Sequence, residues 1–166
     1  MVGENGLLGI SKRGQSIYEE PVFATPGAMP LNLLKLCVGV SDIEELDSWV
    51  KDCRQGRGTL DHVTRMFPKR KDEILPRGSL FWVMRGMILC RQPIAALEEV
   101  TGSDGIVRCR ILFKPQVIPV RPVPKRAFQG WRYLEEADSP PDLPKSARVD
   151  GMPEKMRREL GELGLL

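Results

Sequence analysis

The chain holds one histidine, His62, and it follows directly on a carboxylate, Asp61. Histidine titrates near neutrality and can move a proton, so the pair is the first place to look for general base chemistry. On a strand, however, adjacent residues point to opposite faces, which leaves Asp61 badly placed to orient His62. The competing role for His62 is a polar or anion contact at a strand start. Four cysteines, Cys37, Cys53, Cys90 and Cys109, stand far apart, and none belongs to a C-x-x-C or Cys/His cluster able to close a zinc site. They read as reduced thiols among apolar neighbours. No G-x-S-x-G elbow, P-loop, G-x-G-x-x-G or H-E-x-x-H occurs. The expectation is therefore no metal, no cofactor and no assigned catalytic residue.

Charge is the stronger signal. The whole chain carries a formal net charge of only +3. Residues 61–134 hold 14 Lys and Arg against 6 Asp and Glu, a local +8, while residues 135–166 hold 5 against 8, a local −3. Ten of those 14 cations are arginines, whose planar fork suits bidentate phosphate or guanine contacts better than the point charge of lysine. Aromatics are interleaved: Phe67 near Arg65 and Lys69, Trp82 near Arg85, and Phe128, Trp131 and Tyr133 near Arg126 and Arg132. Single-strand binders combine a positive groove with stacking platforms of this kind. Some of these residues have simpler uses. Trp82 sits in a run that reads as core, Lys69 to Lys71 face Asp72 and Glu73 as on a solvated helix, and a hairpin symmetric about Ser103 would set Glu98 opposite Arg108 as a cross-strand ion pair. Arg85, Arg91 and Arg132 each interrupt or abut an apolar run with no adjacent acid.

These side chains need elements to hold them. Met29 to Val38 is a compact apolar run suited to a buried strand. Ser41 and Glu44 have capping-box spacing, and Ile43, Leu46, Trp49, Val50 and Cys53 recur on one face of a helix from about Asp42 to Arg54, ended by Gly56 and Gly58. His62 to Phe67 alternates like a short strand, and Pro68 opens a short helix to Leu75. Ser79 to Met84 is apolar on both faces, as in a central strand, and Gly86 separates it from a second apolar run, Met87 to Cys90. Ile94 to Val100 and Ile106 to Phe113 flank the turn Thr101 to Gly105 as a hairpin, with Arg108 and Arg110 opposite its apolar face. Prolines 115, 119, 122 and 124 make the next stretch irregular or edge-like. Pro153 to Leu163 is expected to be a terminal helix docked through Met156, Leu160 and Leu163.

With 166 residues, 42% of them hydrophobic, the composition is that of one globular domain, and no apolar stretch approaches a membrane span. Residues 1–28 read as a flexible leader with no secretory signal, so the expected location is the cytoplasm. Met29 could be the biological start.

Several segments resemble a bacterial family catalogued as domain of unknown function 1489: Met29 to Gly39, His62 to Arg70, Gly78 to Gly86 and Phe128 to Leu134. The resemblance covers almost everything from Met29 onward. It implies a small cytoplasmic domain beginning there, and it carries over no reaction and no catalytic residue. The order of elements also resembles, more weakly, the PUA-like superfamily of small β-barrels, many of which bind RNA or modified bases.

Together these observations predict an α+β domain spanning 29–166, with a curved or barrel-like mixed sheet, the helix at Asp42 to Arg54 and a terminal helix. The expected function is a non-catalytic RNA-binding or nucleotide-binding module. In it Arg65, Arg85, Arg91, Arg126 and Arg132 hold phosphates or base edges, Trp131 and Tyr133 stack, and His62 and Gln129 supply polar contacts. Two rivals stand beside it: a hydrolase or transferase on a small phosphorylated substrate, using His62 with Asp61 or Cys90, and an interaction domain for an acidic protein.

Overall fold

In a computed structural model of the chain, residues 29–144 and 154–164 are described. The expectations for the leader fall outside them. Seven strands form one mixed sheet: β1 Asn32–Leu36, β2 Asp61–Thr64, β3 Ser79–Met84, β4 Met87–Thr101, β5 Val107–Phe113, β6 Ile118–Pro124 and β7 Trp131–Leu134. The order is β2-β5-β4-β3-β1-β7, with β6 also on β4. Only β1 and β3 run parallel; every other pairing is antiparallel. The α+β class is as expected, but the sheet stays open and does not close into a barrel.

Helix α1, Ile43–Arg54, buries Ile43, Leu46 and Val50. Its cap lies one residue beyond the expected Ser41: the Asp42 carboxylate accepts from the Glu45 amide, and Glu45 reaches back to accept from the Ser41 amide. The box motif is thus shifted by one residue, with Asp in place of Ser at the cap. Helix α2, Lys71–Ile74, is a single turn that buries Ile74. Both helices pack on one face of the sheet with Leu33, Leu80, Trp82, Ile111 and Phe113. A smaller apolar cluster on the other face joins Leu34, Phe81, Val83, Ile88, Val120 and Leu134. Because β1 and β3 contribute to both clusters, they are apolar on both faces, which is why their sequences show no alternation.

The two runs Met87–Cys90 and Ile94–Val100 are one long strand, not two. Pro93 interrupts neither half, because pairing with β6 has ended at Arg91 and pairing with β5 starts at Ile94. A two-residue turn, Arg85-Gly86, joins β3 to β4 with φ of 48° and 80°. Positive φ at both centres is the type I′ geometry whose twist matches a hairpin. β6 is the edge-like strand its prolines predict: among the described strands it pairs with β4 alone, and an isolated bridge joins Val120 to Asp142. Helix α3, Glu154–Glu162, lies against it, with Gly161 so close that a Cβ there would stand 2.9 Å from Pro122 Cβ. The expected contact set is corrected: Met156 and Leu163 are exposed, and the half-buried Leu160 and Gly161 face the domain.

The β4–β5 register overturns the expected Glu98–Arg108 pair. Thr101 faces Val107, so the hairpin is centred on Asp104 rather than Ser103, and Arg108 faces Val100. Its guanidinium instead holds both Asp104 oxygens, while Asp104 also accepts from the Ile106 amide. Glu98 faces Arg110, whose Nε donates to Asp61 at 2.8 Å.

Candidate functional site

Three elements set the geometry around His62. It stands opposite Ile111 in the β2–β5 ladder and so turns toward the α1 face, whereas Asp61 turns to the other face and bonds Arg110. No hydrogen bond joins the two, and the catalytic dyad considered from sequence is not formed. The His62 ring meets Trp82 edge-on, with centroids 5.7 Å apart and planes at 88°. Neither ring nitrogen has a hydrogen-bond partner among the described residues. Burial, and then the Lys35 ammonium on β1, hold its pKa below the usual histidine value, so the ring is neutral at pH 7. It borders a cavity of about 170 Å³ walled by Leu46 and Trp49 of α1, by Trp82 and Phe113 from the sheet floor, by Cys37, Val38 and Val40 beyond β1, and by Asp61, whose carboxylate is held by Arg110. Burial pushes the Cys37 thiol up to about 11, which keeps it protonated and a poor nucleophile. Cys90 is fully buried in β4 and does not border the cavity.

The remaining expected site residues do not form one surface. On β7, Trp131 and Tyr133 share the α1 face with ring centroids 4.9 Å apart. Both are tied down: the Trp131 indole donates to the Met66 carbonyl at 2.9 Å, and the Tyr133 hydroxyl accepts from the Arg70 amide at 3.2 Å beneath the Arg70 guanidinium. Arg132 alternates to the opposite face, where its guanidinium lies 5.2 Å from the Phe128 ring. Arg91 has an acid after all, from far along the chain: its Nε and one terminal nitrogen each donate to Asp142 at 2.7 Å, and the other terminal nitrogen donates to Ser79 Oγ. Arg65 is exposed after β2, and Gln129 is exposed before β7.

The cations therefore divide between the two ends of the sheet. At the end where β1 starts and β7 finishes, acidic residues follow closely. Glu135 takes Arg70, Glu136 accepts from Asn32 Nδ2 at 2.8 Å, and Asp142 takes Arg91; a second cavity, about 390 Å³ and polar, lies among these groups. At the opposite end, the Cys37 amide donates to the Val83 carbonyl and the Lys125 amide donates to the Gly86 carbonyl. These bonds place Lys125 and Arg126 beside the Arg85 turn, with Phe128 to Arg132 entering β7 next to Lys35. Arg85, Lys125, Arg126 and Arg132 make no ion pair or side-chain hydrogen bond among the described residues. The segments that carry these four cations, 79–97 and 114–134, and the β1 segment 29–41 contain no Asp or Glu, and the acids nearest the β1 exit, Glu45 and Asp61, come from α1 and β2. Lys125 and the cavity residue Trp49 were not among the expected contacts. The acid-free segments were a readable sign of the first, and nothing local in sequence points to the second.

The described residues contain no cluster of His, Cys, Asp or Glu able to hold a metal ion, and no helix long and apolar enough to cross a membrane. The fold is thus a single α+β domain on an open mixed sheet. A family model matches residues 33–166, and the chain belongs to that family, described as Protein of unknown function (DUF1489). No curated protein and no solved structure matches it.

Proposed function

We propose that this domain binds single-stranded RNA, or a related polyanion, at the end of the sheet formed by the Arg85 turn and the Lys125 to Arg132 segment. The observation that carries this is the split of the cations: Arg85, Lys125, Arg126 and Arg132 have no ion pair among the described residues and lie on acid-free segments, while the acidic stretch after β7 pairs with Arg70 and Arg91 at the other end. Uncompensated cations on a rigid scaffold release counterions when they meet phosphates, which drives association. Phe128, already under the Arg132 guanidinium, supplies a ring for stacking. Trp131 and Tyr133 are supports rather than platforms, since their polar atoms serve the backbone of 66–70.

Fluorescence anisotropy of a labelled single-stranded RNA, followed from about 50 to about 200 mM salt, tests this. Each phosphate contact contributes about 0.7 to the slope of log K against log salt, so four cations predict a slope near −3. The triple variant Lys125→Ala, Arg126→Ala, Arg132→Ala should retain only about a quarter of that slope. Salt-independent binding, or a triple variant that binds like the parent, refutes the proposal.

A further inference from the structure

We infer that the cavity beside His62 takes a single pyrimidine ring, the unstacked base of a strand held by the cations at the same end of the sheet. This inference rests on the RNA-binding proposal for its context and on the cavity for its chemistry.

Size comes first. A cavity of about 150 Å³ lined by apolar side chains accommodates a benzene ring, so one of about 170 Å³ has room for one six-membered ring, and the second ring of a purine would project past its open rim. The lining comes next. Trp49, Trp82 and Phe113 present aromatic surface, which suits a flat heterocycle. Within this wall, whose other polar member Asp61 is held by Arg110, His62 stands with both ring nitrogens unpartnered among the described residues and its ring in a T-shaped contact with Trp82. A neutral imidazole has one N–H donor and one acceptor that point in diverging directions, so whichever nitrogen faces the cavity can make one hydrogen bond to an O2, N3 or C4 group of uracil or cytosine. A few polar groups in an aromatic wall fix orientation as well as affinity, and His62 is the one here without a partner among the described residues.

Location ties the cavity to the cations. Its mouth is formed by Cys37, Val38 and Val40, which leave β1 where the Cys37 amide bonds the Val83 carbonyl, two residues before Arg85. Val38 is 86% exposed there, so the rim is open to solvent. Lys35, whose ammonium acts on His62, sits on β1 between the cavity and the start of β7. The cavity and the Arg85 turn thus share one end of the sheet, with Arg132 and Phe128 on the opposite face at that end, so a strand serving both would cross the sheet edge there.

Because His62 is the only histidine, its Hε1 proton gives one isolated NMR signal in the full chain. Uridine and cytidine should shift that signal saturably and quench tryptophan fluorescence, with adenosine at least about ten-fold weaker. His62→Phe, which keeps an aromatic edge against Trp82, should weaken pyrimidine nucleoside binding at least about ten-fold while the fold persists. The triple variant at Lys125, Arg126 and Arg132 should bind the nucleosides unchanged. An unmoved Hε1 signal, adenosine binding as tightly as uridine, or His62→Phe binding like the parent would each overturn the inference. Salt-dependent RNA binding that leaves Hε1 unmoved overturns the cavity assignment alone. Nucleoside binding without RNA binding overturns the phosphate reading and leaves the cavity assignment standing.

Discussion

Arg85 is the one residue other than glycine found at positive φ among the described residues, at 48°. A left-handed conformation costs an L-residue with a Cβ roughly 1 to 2 kcal/mol, and the first centre of a type I′ turn is a position that asparagine fills with less strain. Arginine gains nothing visible in return: it makes no ion pair there, and it is exposed. A strained residue at a tip, in a region otherwise packed and apolar, is the pattern expected where a side chain is kept for contact with a ligand. Replacing Arg85 with Asn should therefore move two quantities in opposite directions. Stability should rise by up to about 1 kcal/mol, an increase in Tm of about 2 to 4 °C for a chain of this size. RNA affinity should fall, with the salt slope shallower by about 0.7 because one phosphate contact is lost.

The assay is thermal unfolding by circular dichroism beside anisotropy titrations at two salt concentrations. Arg85→Lys is the control. It keeps both the charge and the Cβ, so it should leave Tm within error and hold most of the salt slope. A lowered Tm for Arg85→Asn would show that the turn does not strain arginine. An unchanged salt slope would remove Arg85 from the contact surface, whatever happens to stability.

Asp142→Asn should lower the unfolding free energy by about 1 kcal/mol in urea titrations, since it breaks a two-pronged but partly exposed pair with Arg91; it should leave RNA binding unaltered, because that pair lies at the other end of the sheet. Gln92 is fully buried, accepts from the Trp82 indole at 2.7 Å and leaves its own Nε2 without a partner. Gln92→Leu should cost about 1 to 3 kcal/mol by stranding the indole N–H, and adding Trp82→Phe should recover part of that loss in a double-mutant cycle; a cycle with no coupling refutes the assignment. His62 has a folded pKa below its ordinary 6.5, so the unfolded chain takes up the proton more readily. Stability should hold above pH 6.5, decline as pH falls through that value, and level off below the folded pKa; His62→Phe should remove this part of the urea-midpoint profile.

Local periodicity carries α1, β3 and the β4–β5 hairpin because each depends on neighbours within a few residues. Ile43, Leu46 and Val50 can find only one helical face, and Cys109, Ile111 and Phe113 only one side of a strand. What stays hidden depends on partners far away or on one side chain at a turn. Met87 to Cys90 and Ile94 to Val100 read as separate runs, and only the change of partner from β6 to β5 shows that Pro93 between them costs no ladder bond. The Arg108 pairing moves because Asp104 takes both the guanidinium and the Ile106 amide, shifting the turn centre by one residue. Arg91 looks unpaired because its acid, Asp142, is 51 residues downstream. The cavity draws its walls from the end of β1, α1, β2, β3 and β5, so His62, Asp61, Cys37 and Trp82 could each be singled out on residue type, but not their meeting around one cavity.

The net charge of each segment was legible, but its meaning depends on which cations the acidic stretch can reach. Glu135, Glu136 and Asp142 follow β7 at the end where Asn32 pairs with Leu134, and they meet Arg70, Asn32 and Arg91 there. In an antiparallel pairing the start of β7 lies at the other end of β1, beside Lys35 and next to the Arg85 turn. The described acids that follow β7 therefore compensate one half of the basic centre, and the half they do not reach is the one that borders the His62 cavity.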